Sequence, residues 1–235
     1  MLIVVLFALL SSGLGFAAAD SYVHLDSFSA DLSNRDRIIQ GGKNFQQTCL
    51  SCHSLNAFMN DSVAKELGLS KDQMPVWPPE SWNGHPPPDL SLIALSMSPE
   101  WLYTYLRTYY VDAERPTGYN NLVFPNTNMP NPFVDAQGSQ VLIDPNYFDK
   151  QHHASHDYWY RVIKLKQGGR MSAEEFDDYV ADIVTFLTYV SDPSIFERRQ
   201  MGAWVLGYLV LFIAVTFAYF KVMGKYYFKA PKRYH

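Results

Sequence analysis

The chain has 235 residues, a formal net charge of −4 and two cysteines. Five of its 19 basic residues follow residue 220, whereas all 23 acidic residues precede residue 201, so the part before residue 201 has a formal charge of −9. An acidic part of this size corresponds to one domain, and its charge argues against nucleic acid as a partner.

The first 19 residues are apolar and uncharged, and they end in Ala17-Ala18-Ala19 before Asp20. This pattern predicts a secretory signal peptide with an A-x-A cleavage site. A positively charged beginning is missing, so residues 1–19 are interpreted either as a signal peptide or as a retained N-terminal hydrophobic segment.

A helix is predicted from Arg35 to Thr48, capped by Ser33 or Asn34. The sequence Cys49-Leu50-Ser51-Cys52-His53 follows it directly and contains both cysteines. A weaker helical pattern covers residues 62–69.

The C-x-x-C-H motif fits three chemistries. A dithiol redox centre usually lies in a βαβ setting, and a structural zinc site needs four protein ligands; neither pattern is present around Cys49. The motif is typical of one covalently bound haem c, with thioether bonds from Cys49 and Cys52 and with His53 as an axial iron ligand. A zinc- or thiol-based binding module remains the alternative, and it would be a colourless protein.

Six prolines in residues 74–91 predict a stiff, irregular loop. A ligand histidine usually needs a hydrogen-bond acceptor for its second ring nitrogen. Proline-rich backbone supplies such carbonyls, so we expect the stretch Pro-Pro-Pro-Asp-Leu at residues 86–90 to orient His53, with Leu90 packed on the cofactor. A plain turn is the alternative interpretation.

Pro99 follows Ser98 at the start of the next predicted helix, whose apolar face is Trp101, Leu102, Tyr105, Leu106 and Tyr109. Residues 112–160 are rich in turns, with short strands expected only near residues 141–143. The second axial ligand is left open between a methionine, a histidine and no ligand, and a methionine thioether would raise the redox potential and suit an electron carrier. Met74, Met97 and Met129 are candidates, and Met129 is favoured because prolines on both sides stiffen its loop.

A capping box from Ser172 to Glu175 predicts a helix to Ser191. Residues 201–220 are uncharged and long enough to cross a bilayer. The heavier basic flank follows this segment, which places the C-terminus in the cytoplasm. We therefore expect an outer domain at residues 20–200, a transmembrane helix at 201–221 and a cytoplasmic tail at 222–235.

The spacing of Gly41, Phe45, Cys49, Cys52 and His53 resembles that of class I c-type cytochromes, in which the Gly and Phe helix crosses the C-terminal helix of the domain. An ordered set of further motifs is similar to bacterial members of the cytochrome c1 family: PPPDLS (86–91), YLRTYY (105–110), RPTGYNNLVFPN (115–126), NMP (128–130) and the C-terminal membrane span.

The resemblance implies a mostly α fold: a class I cytochrome c-like haem domain with long loops and one C-terminal transmembrane helix. It implies one covalent haem c with His53 and Met129 as metal ligands. Cys49, Cys52, Pro88 and Leu90 would contact the cofactor. Relatives often have basic residues after P-P-D-L-S, and this chain has none there. Arg107 and Arg115 are therefore the candidates for a cofactor-binding residue that pairs with a haem propionate, and the alternative for each is a solvated charge on a helix face or loop.

The resemblance also implies a role in the respiratory chain as a subunit of the ubiquinol–cytochrome c oxidoreductase, the bc1 complex. Such a subunit passes electrons from the Rieske iron–sulfur protein to cytochrome c and is not an enzyme on its own. Its partners would be cytochrome b, the Rieske subunit and a cytochrome c acceptor in a dimeric complex. The expected location is the bacterial inner membrane, single-pass, with the haem domain in the periplasm. The alternative is another membrane-anchored cytochrome c that serves a terminal oxidase.

Overall fold

The computed structural model describes residues 23–147 and 157–227. The predicted signal segment 1–19 and the end of the tail, residues 228–235, lie outside the described residues. The chain divides into two compact units, one ending at Ser191 and the other beginning at Asp192. The domain limits predicted at residues 200 and 221 stay a prediction.

Helices dominate the described part of the first unit, together with two antiparallel strand pairs and long connecting loops. Its helices and strands are α1 (Arg35–Thr48), α2 (Ser62–Glu66), α3 (Ser81–Gly84), α4 (Ile93–Ser96), α5 (Pro99–Arg107), β1 (Tyr109–Val111), β2 (Tyr119–Asn121), α6 (Val134–Gln137), β3 (Gly138–Leu142), β4 (Ile163–Gly168) and α7 (Ala173–Ser191). Short 3₁₀ turns cover Asn56–Phe58, Lys71–Gln73 and Trp159–Arg161.

Side-chain caps fix the starts of the three longest helices of this unit. The Asn34 side chain accepts a hydrogen bond from the backbone N–H of Arg37, and the Ser98 hydroxyl accepts one from Trp101. At α7 the Ser172 N–H donates to Glu175 Oε2 at 2.8 Å, and the Glu175 N–H donates to Ser172 Oγ at 3.3 Å. This reciprocal pair is the predicted capping box, and it satisfies N–H groups that the helix itself leaves unpaired.

Helix α1 packs closely against α7, as the resemblance to class I cytochromes implies. A Cβ atom on Gly41 would overlap the backbone carbonyl of Asp182 and the side chain of Phe186, so only glycine allows this approach. Phe45 and Phe186 are fully buried, with ring centroids 5.6 Å apart. This contact fixes the direction in which the end of α1 delivers Cys49.

The two strand pairs lie between α5 and α7 in the chain. Strand β1 pairs antiparallel with β2, with Tyr109 opposite Asn121, and β3 pairs antiparallel with β4. The sequence prediction was wrong in placing Tyr109 on the preceding helix. Helix α5 ends at Arg107, and Tyr109 begins β1, where it is fully buried.

The proline-rich loop differs from its prediction at one place. Residues 81–84 form a single helical turn, α3. This turn is possible because residues 80–85 contain no proline, so the backbone N–H groups that a turn needs are present there. The remainder of residues 74–91 has no helix or strand, as predicted.

The second unit is dominated by helix α8 (Ile195–Tyr227). Its stretch Met201–Gly224 is apolar and long enough to cross a membrane, and none of its most apolar window is buried. At about 1.5 Å per residue it extends about 36 Å, against about 30 Å of bilayer hydrocarbon. A core helix of a water-soluble domain would bury its apolar side chains, and this exposure instead fits a lipid-facing helix.

Candidate cofactor site

One cavity of about 520 Å³ lies in the first unit. This volume is in the range of small-molecule and cofactor sites. Its lining is predominantly apolar and is supplied by the end of α1, the C-x-x-C-H turn, the proline-rich loop, helices α5 and α7, and the loop between β2 and α6. The predicted site residues on the lining are Cys49, Cys52, His53, Pro88, Leu90 and Met129.

The C-x-x-C-H turn is a compact continuation of α1. The N–H of Cys49 donates to Phe45 O at 2.8 Å, and those of Cys52 and His53 donate to Cys49 O at 3.0 and 2.9 Å. These hydrogen bonds bring both sulfurs and the imidazole to the same cavity. Burial, and to a lesser extent the neighbouring Cys52, raise the pKa of the Cys49 thiol to about 12.

His53 is held in one ring orientation. Its Nδ1 lies 2.8 Å from the carbonyl oxygen of Pro88, which is one of the carbonyls of residues 86–90 that the sequence predicted as acceptors. Because a carbonyl oxygen only accepts, Nδ1 carries the proton and Nε2 keeps its lone pair. Burial lowers the pKa of His53 despite the opposing effects of Pro88 and Asp89, which favours the neutral imidazole that binds metals.

Asp89 fastens the proline-rich loop to the chain beside His53. Its Oδ2 accepts from Ser54 Oγ at 2.7 Å and from the N–H and Nδ2 of Asn56 at 2.8 and 2.9 Å, and its Oδ1 accepts from the Ser91 N–H at 2.8 Å. Partial burial works against ionisation, but the hydrogen bonds outweigh it and lower the pKa of Asp89. The carboxylate therefore fixes the neighbouring Pro88 carbonyl that receives His53.

Met129 reaches the cavity from the loop between β2 and α6. Its sulfur lies 3.5 Å from the hydroxyl of Tyr105. That hydroxyl also lies 3.0 Å from Thr127 Oγ1 and receives a hydrogen bond from Tyr109 at 2.6 Å. Of the other two methionine candidates, Met97 lines the cavity, whereas Met74 is buried elsewhere and accepts a hydrogen bond from the Leu55 N–H. The structure therefore brings two of the three candidates to the site.

The structure does not bring Arg107 to the cavity, which corrects the placement expected from the sequence. Its guanidinium donates to Asp26 Oδ2 at 2.7 Å and to Asp177 Oδ2 at 3.0 Å, and it lies 4.4 Å from the ring centroid of Tyr103. Arg107 sits in the last turn of α5 on the face turned to the N-terminal segment and α7. Two carboxylates already balance its charge there.

Arg115 is also occupied by protein groups. Its terminal nitrogens contact the backbone and side chains of residues 126–128. Sequence reasoning missed this contact and the hydroxyl group of Tyr105 beside Met129. The prolines on both sides of Met129 were a sequence signal for a rigid loop at the site. They could not identify Tyr105 and Arg115 as contacts of this loop, because those residues lie in other parts of the chain.

The donor set fits a haem c. The two thiols, the neutral imidazole of His53, the side chain of His85 and the thioethers of Met97 and Met129 all line one apolar cavity, and this set matches covalent attachment with His and Met coordination. A zinc site is not favoured, since no group of three or more His, Cys, Asp or Glu among the described residues is arranged to hold a metal ion.

The helical domain, its cavity and the exposed apolar helix together define a membrane-anchored c-type cytochrome. No protein-family model matches the chain. The chain is 33% identical over 241 aligned positions to the cytochrome c1 of Allochromatium vinosum, covering 94% of this chain and 93% of that protein. It is also 33% identical over 214 positions to the ammonia monooxygenase gamma subunit of Nitrosomonas europaea, covering 83% of this chain and 85% of that protein.

The chain belongs to the cytochrome c1 family. Membership confirms the predicted fold class, a mostly helical cytochrome c domain with a single transmembrane helix. It also establishes an electron-transfer role for a membrane-anchored cytochrome that uses haem.

Proposed function

We propose that this chain is the haem c subunit of a ubiquinol–cytochrome c oxidoreductase and relays electrons from a Rieske iron–sulfur protein to a cytochrome c. The observation that carries the proposal is the cavity, at which Cys49, Cys52, His53 and Met129 come together. The family relationship to the cytochrome c1 of Allochromatium vinosum supports the assignment to this complex.

Each residue of the site has a distinct task in this proposal. Cys49 and Cys52 would hold the haem through thioether bonds, so that it would stay bound during repeated turnover. His53 and Met129 would bind its iron. When bound, the haem supplies an iron that alternates between the ferric and ferrous states.

The surrounding groups keep the ligands and the cavity in order. The Pro88 carbonyl accepts a hydrogen bond from His53 Nδ1, which opposes rotation of the imidazole ring, and Leu90 with the other apolar lining residues excludes water. A dry, fixed environment limits reorganisation as charge changes, and thioether ligation favours a high potential. Electron relay needs no acid–base or nucleophilic group, and in this proposal the chain acts as an electron-transfer subunit and not as an enzyme on its own.

The proposed topology follows from charge. Helix α8 crosses the bacterial inner membrane once, with the basic residues after it in the cytoplasm and the haem domain in the periplasm. A periplasmic reporter fused after His235 should be inactive and a cytoplasmic reporter active. The opposite pattern would contradict this orientation.

The partners can be tested by purification of the tagged full-length chain from membranes in mild detergent. We expect cytochrome b and Rieske subunits to co-purify in a dimeric complex, with one haem c per chain and quinol-dependent reduction of an added cytochrome c. A colourless preparation would contradict haem binding altogether.

Two other assemblies are outcomes that would overturn the bc1 assignment while leaving the haem site intact. Co-purification with a haem–copper oxidase would indicate a cytochrome that serves a terminal oxidase. Co-purification with subunits of an ammonia monooxygenase would agree with the name of the Nitrosomonas europaea relative.

A further inference from the structure

The loop that carries Met129 has no regular structure of its own. Residues 122–133, between β2 and α6, form no helix or strand. The backbone of such a segment is ordered only if other parts of the protein supply hydrogen bonds to it. The contacts that order this loop therefore decide where the Met129 sulfur lies.

Arg115 supplies several of these contacts from the turn between β1 and β2. Its Nη2 donates to the Asn126 carbonyl at 2.7 Å and lies 3.4 Å from the Thr127 carbonyl and 3.3 Å from Asn128 Oδ1, while its Nη1 lies 3.3 Å from Asn126 Oδ1. One guanidinium thus bridges three consecutive residues, the last of which directly precedes Met129.

The hairpin that carries Arg115 is itself well fixed. The Arg115 N–H donates to Asp112 O at 3.2 Å, and its carbonyl accepts from Gly118 at 2.9 Å. On strand β2, Asn120 accepts a hydrogen bond from the Asn126 N–H at 2.7 Å and donates to Asp112 Oδ2 at 2.9 Å. The β1–β2 hairpin therefore contacts the loop at both the side chain of Arg115 and that of Asn120.

Asn126, which accepts the shortest of the Arg115 hydrogen bonds, also has a strained backbone. Asn126 has a backbone φ of +64°, in the left-handed region that most residues avoid. A residue in this conformation persists only where the surrounding contacts hold it. Thr127, the next residue, is buried, so the loop is held from inside by Thr127 and from outside by Arg115.

We propose that Arg115 is a positioning residue that latches the Met129 loop onto the β1–β2 hairpin and so keeps the sulfur at the cofactor. This inference rests on the proposed role of Met129 as the axial ligand. The planar fork of arginine suits the task because it directs several N–H groups at separate acceptors at once, whereas the single ammonium group of lysine cannot bridge them in the same geometry.

The test uses the full-length protein, purified in detergent with its haem. Arg115→Met should weaken the near-infrared sulfur-to-iron band and raise the affinity for added imidazole about tenfold, because the loop opens more often. Added imidazole would take the place of the Met129 thioether. Both groups are neutral two-electron donors, so the exchange would not change the oxidation state of the iron. Arg115→Lys should resemble Arg115→Met.

Arg35→Met is the matched control. Arg35 forms an exposed ion pair with Glu66 on another part of the domain, so its loss should leave both the band and the imidazole affinity unchanged. Thermal unfolding of both variants separates a local opening of the loop from a general loss of stability. An unchanged imidazole affinity in Arg115→Met, or full function of Arg115→Lys, would overturn the proposal.

Met129→Leu distinguishes failure of this inference from failure of the site assignment. Persistence of the band in Met129→Leu would show that another sulfur, such as that of Met97, is the ligand. Loss of the band in Met129→Leu together with wild-type behaviour of Arg115→Met would support Met129 as the ligand. It would contradict only the proposed role of Arg115 in positioning the loop.

Discussion

The two ligand-bearing segments of the cavity are built in different ways. Cys49, Cys52 and His53 follow a long helix, and backbone hydrogen bonds within five residues fix their relative positions. Met129 lies in an irregular loop whose position depends on side chains from a helix and a hairpin, including Tyr105 and Arg115. The first segment has a geometry that neighbouring residues determine, whereas the second has a geometry that distant residues determine.

Removal of the covalent attachment should have the largest effect on the first segment. Replacement of Cys49→Ala together with Cys52→Ala should abolish covalent haem, because no other thiol is present in the chain. Denatured protein on a gel, stained for haem peroxidase activity, is the measurement. Retained stain in the double variant would contradict the attachment site.

The second-largest effect should be on the stability of the domain, when one methyl group is added on α1, the helix that precedes Cys49. Gly41→Ala should destabilise the domain by about 3 kcal/mol, because its Cβ would overlap the backbone of α7. A helical Gly→Ala change without such contact should instead stabilise by about 0.5–1 kcal/mol.

The control for this prediction is Gly202→Ala, since a Cβ there meets no atom within 4 Å. Chemical unfolding followed by the visible haem spectrum reports the stability of the cytochrome domain, so Gly202→Ala in the second unit should leave this stability unchanged, whereas Gly41→Ala should lower it. Equal stability of the two variants would contradict a close contact at Gly41.

Asp89→Asn should weaken the attachment of the loop that orients His53. We expect the free energy of unfolding to fall by about 1–2 kcal/mol, because about two of the four partly exposed hydrogen bonds that the Asp89 carboxylate accepts are lost. Since the pKa of Asp89 is lowered in the folded protein from the ordinary 3.8, the carboxylate stabilises the fold fully above that ordinary pKa. This contribution is lost as the pH falls through the lower, folded-state pKa.

The stability difference between wild type and Asp89→Asn should therefore be constant above about pH 5 and shrink below about pH 4. Acid titrations of unfolding for both proteins provide the measurement. A difference that grows as the pH falls would mean that Asp89 does not act as a stabilising carboxylate.

The smallest expected effect concerns the second segment. Tyr105→Phe removes the hydroxyl 3.5 Å from the Met129 sulfur. A hydrogen bond to sulfur withdraws electron density and favours ferrous iron, so its loss should lower the midpoint potential by about 20–40 mV, the equivalent of a weak hydrogen bond.

Redox titration of Tyr105→Phe beside Tyr189→Phe tests this prediction. The Tyr189 hydroxyl contacts Asp61 and is not on the cavity lining, so that variant should keep the wild-type potential. An equal shift in both variants would point to a general effect on the fold.

Local patterns in the sequence determined much of this protein. The cap at Asn34, the box at Ser172 and Glu175, and the proline after Ser98 predicted the starts of three helices that the structure confirms. These features act over one helical turn, so neighbouring residues suffice to specify them. The unbroken apolar run from residue 201 predicted a long helix for a different reason, because its length matches the thickness of a bilayer, in which backbone groups must be paired within the segment.

Only the tertiary structure decided the surroundings of Met129 and the place of Arg107. The sequence left Met74, Met97 and Met129 open, and folding excluded Met74 from the cavity by burying it against Leu55. In the folded protein the Arg107 guanidinium donates hydrogen bonds to Asp26 and Asp177, and the Arg115 guanidinium donates to residues 126–128. Hydrogen bonds between residues far apart in the chain depend on how helices and hairpins pack, and no periodicity or spacing in the sequence encodes that packing.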